Sequence, residues 1–91
     1  MKTIYKYILT AKGSQKIPMP MNAEILSIQN QNEQICIWAI VDPKEEKELR
    51  HFEIFGTGHP INYKTGGEAT FIGTVQMSSG SLVLHVFEKV K

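Results

Sequence analysis

The sequence predicts an all-β protein, a small antiparallel sandwich or barrel of about six strands, in a single domain over residues 1–91. Three observations predict it. Short runs rich in Ile, Val, Thr, Tyr and Phe recur at regular spacing. Clusters of Gly, Pro, Asn and Ser separate them. The one stretch with room for a helix, 44–49 behind Pro43, holds two turns at most.

Residues 3–9 (TIYKYIL) are β-branched and aromatic and form the first strand, with Ile4 and Ile8 on one face and Thr3, Tyr5, Tyr7 and Leu9 on the other. A turn follows over 10–14, bent at Gly13, and 15–17 adds a short strand. Pro18 and Pro20 remove two amide donors, which suits an edge strand or a strap over the core. Strands over 23–29 and 34–41 are joined by a polar link of hairpin length, Asn30 to Glu33. The second of these (QICIWAIV) is apolar on both faces, so it is central in its sheet or covered by a partner subunit. Asp42-Pro43 ends it, and the sign-alternating run Lys44 to Glu48 reads as a solvated loop or turn. Residues 50–55 form the next strand, 62–67 a turn, and 70–77 pairs with 82–90 across Ser78-Ser79-Gly80-Ser81. Gly73, inside a strand, marks a bulge or a close contact.

Composition narrows the function. Ten Lys and Arg against nine Asp and Glu leave a net charge of +1, with no electrostatic footprint for nucleic acid. The single cysteine, Cys36, gives no disulfide framework and sits among apolar neighbours as a buried thiol. No apolar run is long enough to span a membrane, and Tyr5, Lys6 and Tyr7 interrupt any signal-peptide core, so a reducing cytoplasm is the expected setting. A chain this short buries only roughly two-thirds of its unfolded surface, so association into a homo-oligomer, a dimer or larger, is expected.

Chemistry concentrates at Phe55-Gly56-Thr57-Gly58-His59-Pro60-Ile61. The glycines permit close backbone approach, and Pro60 biases His59 toward extended backbone. Amides of Gly56 to Gly58, the Thr57 hydroxyl and the His59 imidazole form a candidate anion site, with Arg50 as the nearby cation. A purely conformational turn is the alternative reading. His51 and His85 lie in strands and read as sheet-face imidazoles or as further walls of a pocket around His59. The three histidines match no metal-ligand spacing, no cofactor is implied, and no Gly-x-Ser-x-Gly elbow or paired-carboxylate arrangement supports catalysis. Trp38 reads as core, or as a stacking or interface residue.

The segments Lys2-Thr3-Ile4-Tyr5-Lys6-Tyr7, Ala23-Glu24-Ile25-Leu26-Ser27, Trp38-Ala39-Ile40-Val41-Asp42-Pro43, Gly56-Thr57-Gly58-His59-Pro60-Ile61, Phe71-Ile72-Gly73-Thr74 and His85-Val86-Phe87-Glu88 together resemble an uncharacterised family of small phage and prophage proteins. That family has no established activity, so the resemblance transfers no catalytic residue. It implies a phage-type setting, in which small proteins without enzyme motifs act by binding a host factor. The first expectation is therefore a non-enzymatic binder of a small anionic ligand, such as a nucleotide-derived bacterial defence signal. Arg50, Thr57 and His59 hold its phosphate, and Trp38, Tyr5 or Tyr63 stacks on its base. The second is a protein-protein inhibitor or adaptor acting on a host protein. The third, ranked last for want of His-x-Thr/Ser pairs, is a small phosphodiesterase using His59 and His85.

Overall fold

The computed structural model describes residues 1–11, 13–61 and 68–89. Among them are seven strands: β1 (Thr3–Leu9), β2 (Ser14–Pro20), β3 (Glu24–Gln31), β4 (Gln34–Val41), β5 (Lys47–Gly56), β6 (Ala69–Met77) and β7 (Leu82–Lys89). They build two antiparallel sheets, ordered β1-β4-β3 and β2-β5-β7-β6. The sheets pack as a sandwich and do not close into a barrel.

The alternation of β4 explains the packing. Ile35, Ile37, Ala39 and Val41 are fully buried on one side, facing Phe52, Ile54, Val75, Leu84 and Val86 of the second sheet. Burial of each large side chain in this layer contributes about 1.5–3 kcal/mol. The other side of β4 carries Cys36, Trp38 and Ile40, opposite Ile8, Lys6 and Ile4 of β1. Central placement of β4 thus agrees with its two apolar faces. Cys36 is buried even on the outer side. Lys6 Nζ on one edge strand donates to Gln31 Oε1 on the other, at 2.9 Å, and crosses β4 to do so.

The second strand extends through both prolines and forms an edge, where the missing amide donors do no harm. The helix considered for 44–49 does not form. Asp42 Oδ1 accepts the Lys44 amide and Asp42 O accepts the Glu45 amide, both at 3.0 Å, which closes a tight turn after Pro43. The Met21 amide then donates to Glu46 O at 2.8 Å, and the chain continues as β5 from Lys47. Gly73 meets both expectations. The ladder with β7 slips between Phe71 and Gly73, and a Cβ at 73 would stand 2.3 Å from Ile28 Cγ2. The turn expected over 62–67, with Tyr63, and the end of the last strand at Val90 lie outside the described residues.

The two sheets meet most closely at their β3 and β6 edges. Glu33, at the tip of the β3–β4 hairpin, accepts the Ser78 amide at 2.7 Å through Oε1. Its other oxygen accepts from Asn30 Nδ2 at 2.9 Å, and the same Nδ2 reaches Gln76 O at 2.9 Å. These bonds tie the β6–β7 link, with its left-handed Ser78, Ser79 and Gly80, to the opposite sheet.

Candidate functional site

The strand β5 stops at Gly56, whose partner is Leu84, while β7 begins two residues earlier at Leu82. Leu82 and Val83 therefore have strand partners only on the β6 side, Met77 and Gln76. The chain leaving β5 folds over this gap. His59 N–H donates to Gly56 O at 3.1 Å, closing a four-residue turn with Gly58 at φ +88°. That is the φ a type II turn needs at its third residue. Between the turn and the start of β7 lies an open hollow of about 310 Å³, lined by Gly56, Thr57, His59, Ser81, Leu82 and Val83.

Two features set the polarity of this cleft. The Gly56 amide donates to Nδ1 of His59 at 3.1 Å. In the neutral ring the proton then resides on Nε2, so His59 presents an N–H donor on its other side. The contact depends on a glycine, because a Cβ at 56 would lie 2.8 Å from His59 Cε1. On the outer face of the sheet, the Thr57 hydroxyl sits 2.8 Å from His85 Nε2, and the Thr74 hydroxyl sits 3.0 Å from His85 Nδ1. A neutral imidazole donates to one hydroxyl and accepts from the other, so the row Thr57–His85–Thr74 is satisfied as a unit. Thr57, Gly58 and His59 are all exposed. Among the described residues, the amides of Thr57 and Gly58 have no main-chain acceptor.

Of the residues singled out from the sequence, Gly56, Thr57, Gly58 and His59 come together, and His85 joins them through Thr57. Arg50 is elsewhere. It lies six residues before Gly56 on β5, about 20 Å away at the rise of a strand. Its guanidinium holds Glu88 through two bonds, of 2.6 and 2.9 Å, and the Ala23 carbonyl through a third of 2.6 Å. The hydrogen bonds it donates to Glu88 raise its pKa above the ordinary arginine value, with partial burial opposing. Arg50 thus pins the start of β3 to the second sheet. His51 is also distant from the cleft, bonded through Nε2 to Ser14 Oγ. Trp38 and Tyr5 belong to the other sheet, Trp38 half-buried and facing away from the core.

The aromatic side chains on the sheet face next to the turn were not counted as binding residues, although Phe55 opens the stretch singled out from the sequence. Phe55 directly precedes the turn and pairs with His85. Its ring lies 5.8 Å from that of Phe87, which lies 5.4 Å from Phe71, both edge-on. The hairpin link at 78–81 pairs β6 with β7, and the register shift between Phe71 and Gly73 sets Phe71 opposite Phe87. Among the described residues no group of three or more His, Cys, Asp or Glu side chains could hold a metal ion, and no helix is long and apolar enough to cross a membrane.

A family model described as a domain of unknown function, DUF7352, matches residues 1–91, and the chain belongs to that family. No curated protein and no solved structure matches it.

Proposed function

We propose that this DUF7352 chain is a non-enzymatic binding protein that captures a small anionic, nucleotide-like ligand in the cleft between the Gly56–His59 turn and the start of β7. The observation that carries the reading is the convergence of donors on one open hollow. Gly56, Thr57 and His59 line a volume of about 310 Å³, with the Thr57 amide and the Nε2–H of His59 as donors and the Gly58 amide in the same turn. That volume lies at the small end of the range for ligand sites and the hollow is open, so a nucleotide seats one part there and leaves the rest in solvent. Phe55, beside Thr57 and His85, supplies an aromatic surface for its base.

Main-chain donors and an imidazole replace the arginine expected from the sequence, since Arg50 is held by Glu88. The preferred ligand therefore carries little charge, and its affinity depends weakly on salt. In a phage-type setting such a ligand would be a nucleotide-derived defence signal held out of circulation in the host cytoplasm. Calorimetry against cyclic mononucleotides and ADP-ribose-like compounds tests this. The expected result is saturable binding to at least one, weakened about five- to tenfold by His59→Ala, as the loss of one hydrogen bond implies. Flat titrations across the panel would remove the proposal.

A further inference from the structure

The four sheet edges of this molecule are not treated alike. On β2, Pro18 and Pro20 delete amide donors. The edges of β3 and β6 are each broken by a register shift, at Ile25/Ser27 and at Phe71/Gly73, and they close over one another. The fourth edge, β1, has no such protection. Its ladder with β4 runs without a slip from Thr3↔Val41 to Leu9↔Ile35, and it contains no proline or glycine. Its single charge, Lys6, is drawn off the edge, because its ammonium crosses β4 to Gln31. A long, regular edge strand with apolar side chains pairs with another strand unless something prevents it.

We infer that β1 is the homodimer seam of this protein, pairing antiparallel with β1 of a second copy to make one continuous six-stranded sheet, β3-β4-β1 with its symmetry mate. The occupant is argued from the strand itself. A two-fold axis normal to the sheet sets like faces together, and both faces of β1 reward this. Ile4 and Ile8, 56% and 47% exposed, lie on the outer face. Tyr5 and Tyr7, with ring centroids 6.5 Å apart, lie on the inner one. An axis through Lys6, whose ammonium is held across β4 by Gln31, sets Ile4 opposite Ile8 and Tyr5 opposite Tyr7 of the second copy.

The test is light scattering of the full chain over a concentration series, with hydrogen exchange on the same samples. The expected result is a species of twice the chain mass of 10.3 kDa. Its β1 amides on the outer edge are protected in the dimer and lose that protection on dilution. The double variant Ile4→Lys/Ile8→Lys, at two exposed positions, is expected to keep the far-ultraviolet spectrum and to halve the mass. A wild-type monomer throughout the series overturns the inference, whether or not a different protein binds that edge. So does a dimer whose β1 amides exchange as fast as in the dilute sample, or a folded double variant that stays dimeric. The exchange arm decides the matter even if the double variant does not fold.

Discussion

Two glycines, Gly56 and Gly73, act in this structure by leaving room. At Gly56 the space is taken by the His59 ring, which fixes the imidazole tautomer presented to the cleft. At Gly73 it is taken by the γ-methyl of Ile28 on the facing strand, 2.3 Å from where a Cβ would stand. Gly73→Ala should therefore destabilise the fold by about 1–3 kcal/mol, as overpacking does. The cost should shrink in the Ile28→Leu background, because leucine has no methyl branch at Cβ. Urea melts of the two single variants and the double variant measure the coupling, with an expected interaction of about 1 kcal/mol. Strictly additive effects would mean that the contact at 73 does not limit the packing. Gly73 was flagged from the sequence because glycine inside a strand pattern needs a reason. The reason for Gly56 was not legible, since nothing local says that a side chain three residues later folds back over it.

At the scale of elements, the seven strands were mostly readable and their companions were not. Alternation and turn residues located β1, β4, β6 and β7 closely, because each has two strong strand cues and a clear break. The second strand was seen only as 15–17, with its prolines read as an edge or a strap, and it runs through both of them along the sheet edge. The start of β5 was obscured because Lys47-Glu48-Leu49 favours a helix by composition, and pairing with Pro18 to Pro20 overrides it. Arg50 and Glu88, 38 residues apart, could not be joined from sequence, so Arg50, at the start of its strand, was assigned to His59 by nearness in sequence alone. The hairpin tips show the same dependence on tertiary structure. Bonds from Asn30 and then from the Ser78 amide hold the Glu33 carboxyl below its ordinary pKa of 4.5. A depressed carboxyl pKa means that the unfolded chain binds the extra proton. Its stabilising effect is therefore complete above the ordinary value and fades as pH falls through the lower folded value. Glu33→Gln should lower stability at neutral pH and flatten the acid side of the stability curve. Thermal melts from neutral pH down through the carboxylate range check this, and parallel curves for the two proteins would contradict it.

For the whole molecule, fold and site are legible to different depths. An all-β sandwich or barrel follows from strand count, turn chemistry and the doubly apolar β4, all of which are local signals, and the structure decides for the sandwich. The candidate site depends on where β5 ends relative to β7, a matter of register that no local signal encodes. That offset leaves Leu82 and Val83 without partners on one side and makes room for the Gly56–His59 turn to stand over them. It also brings Phe55, His85 and Thr74 into line on the sheet face, although they come from three strands. The sandwich thus holds its cleft on one sheet and its unprotected edge on the other, so a second copy can attach at β1 without covering the ligand. The most direct measurement is a two-dimensional amide spectrum of the labelled protein titrated with whichever nucleotide binds in calorimetry. The account predicts shifts concentrated at Thr57, Gly58, His59, Leu82 and Val83, with Arg50 and Trp38 unmoved. Shifts centred on Arg50 or on the outer face of β4, with the 56–59 turn unmoved, would contradict it.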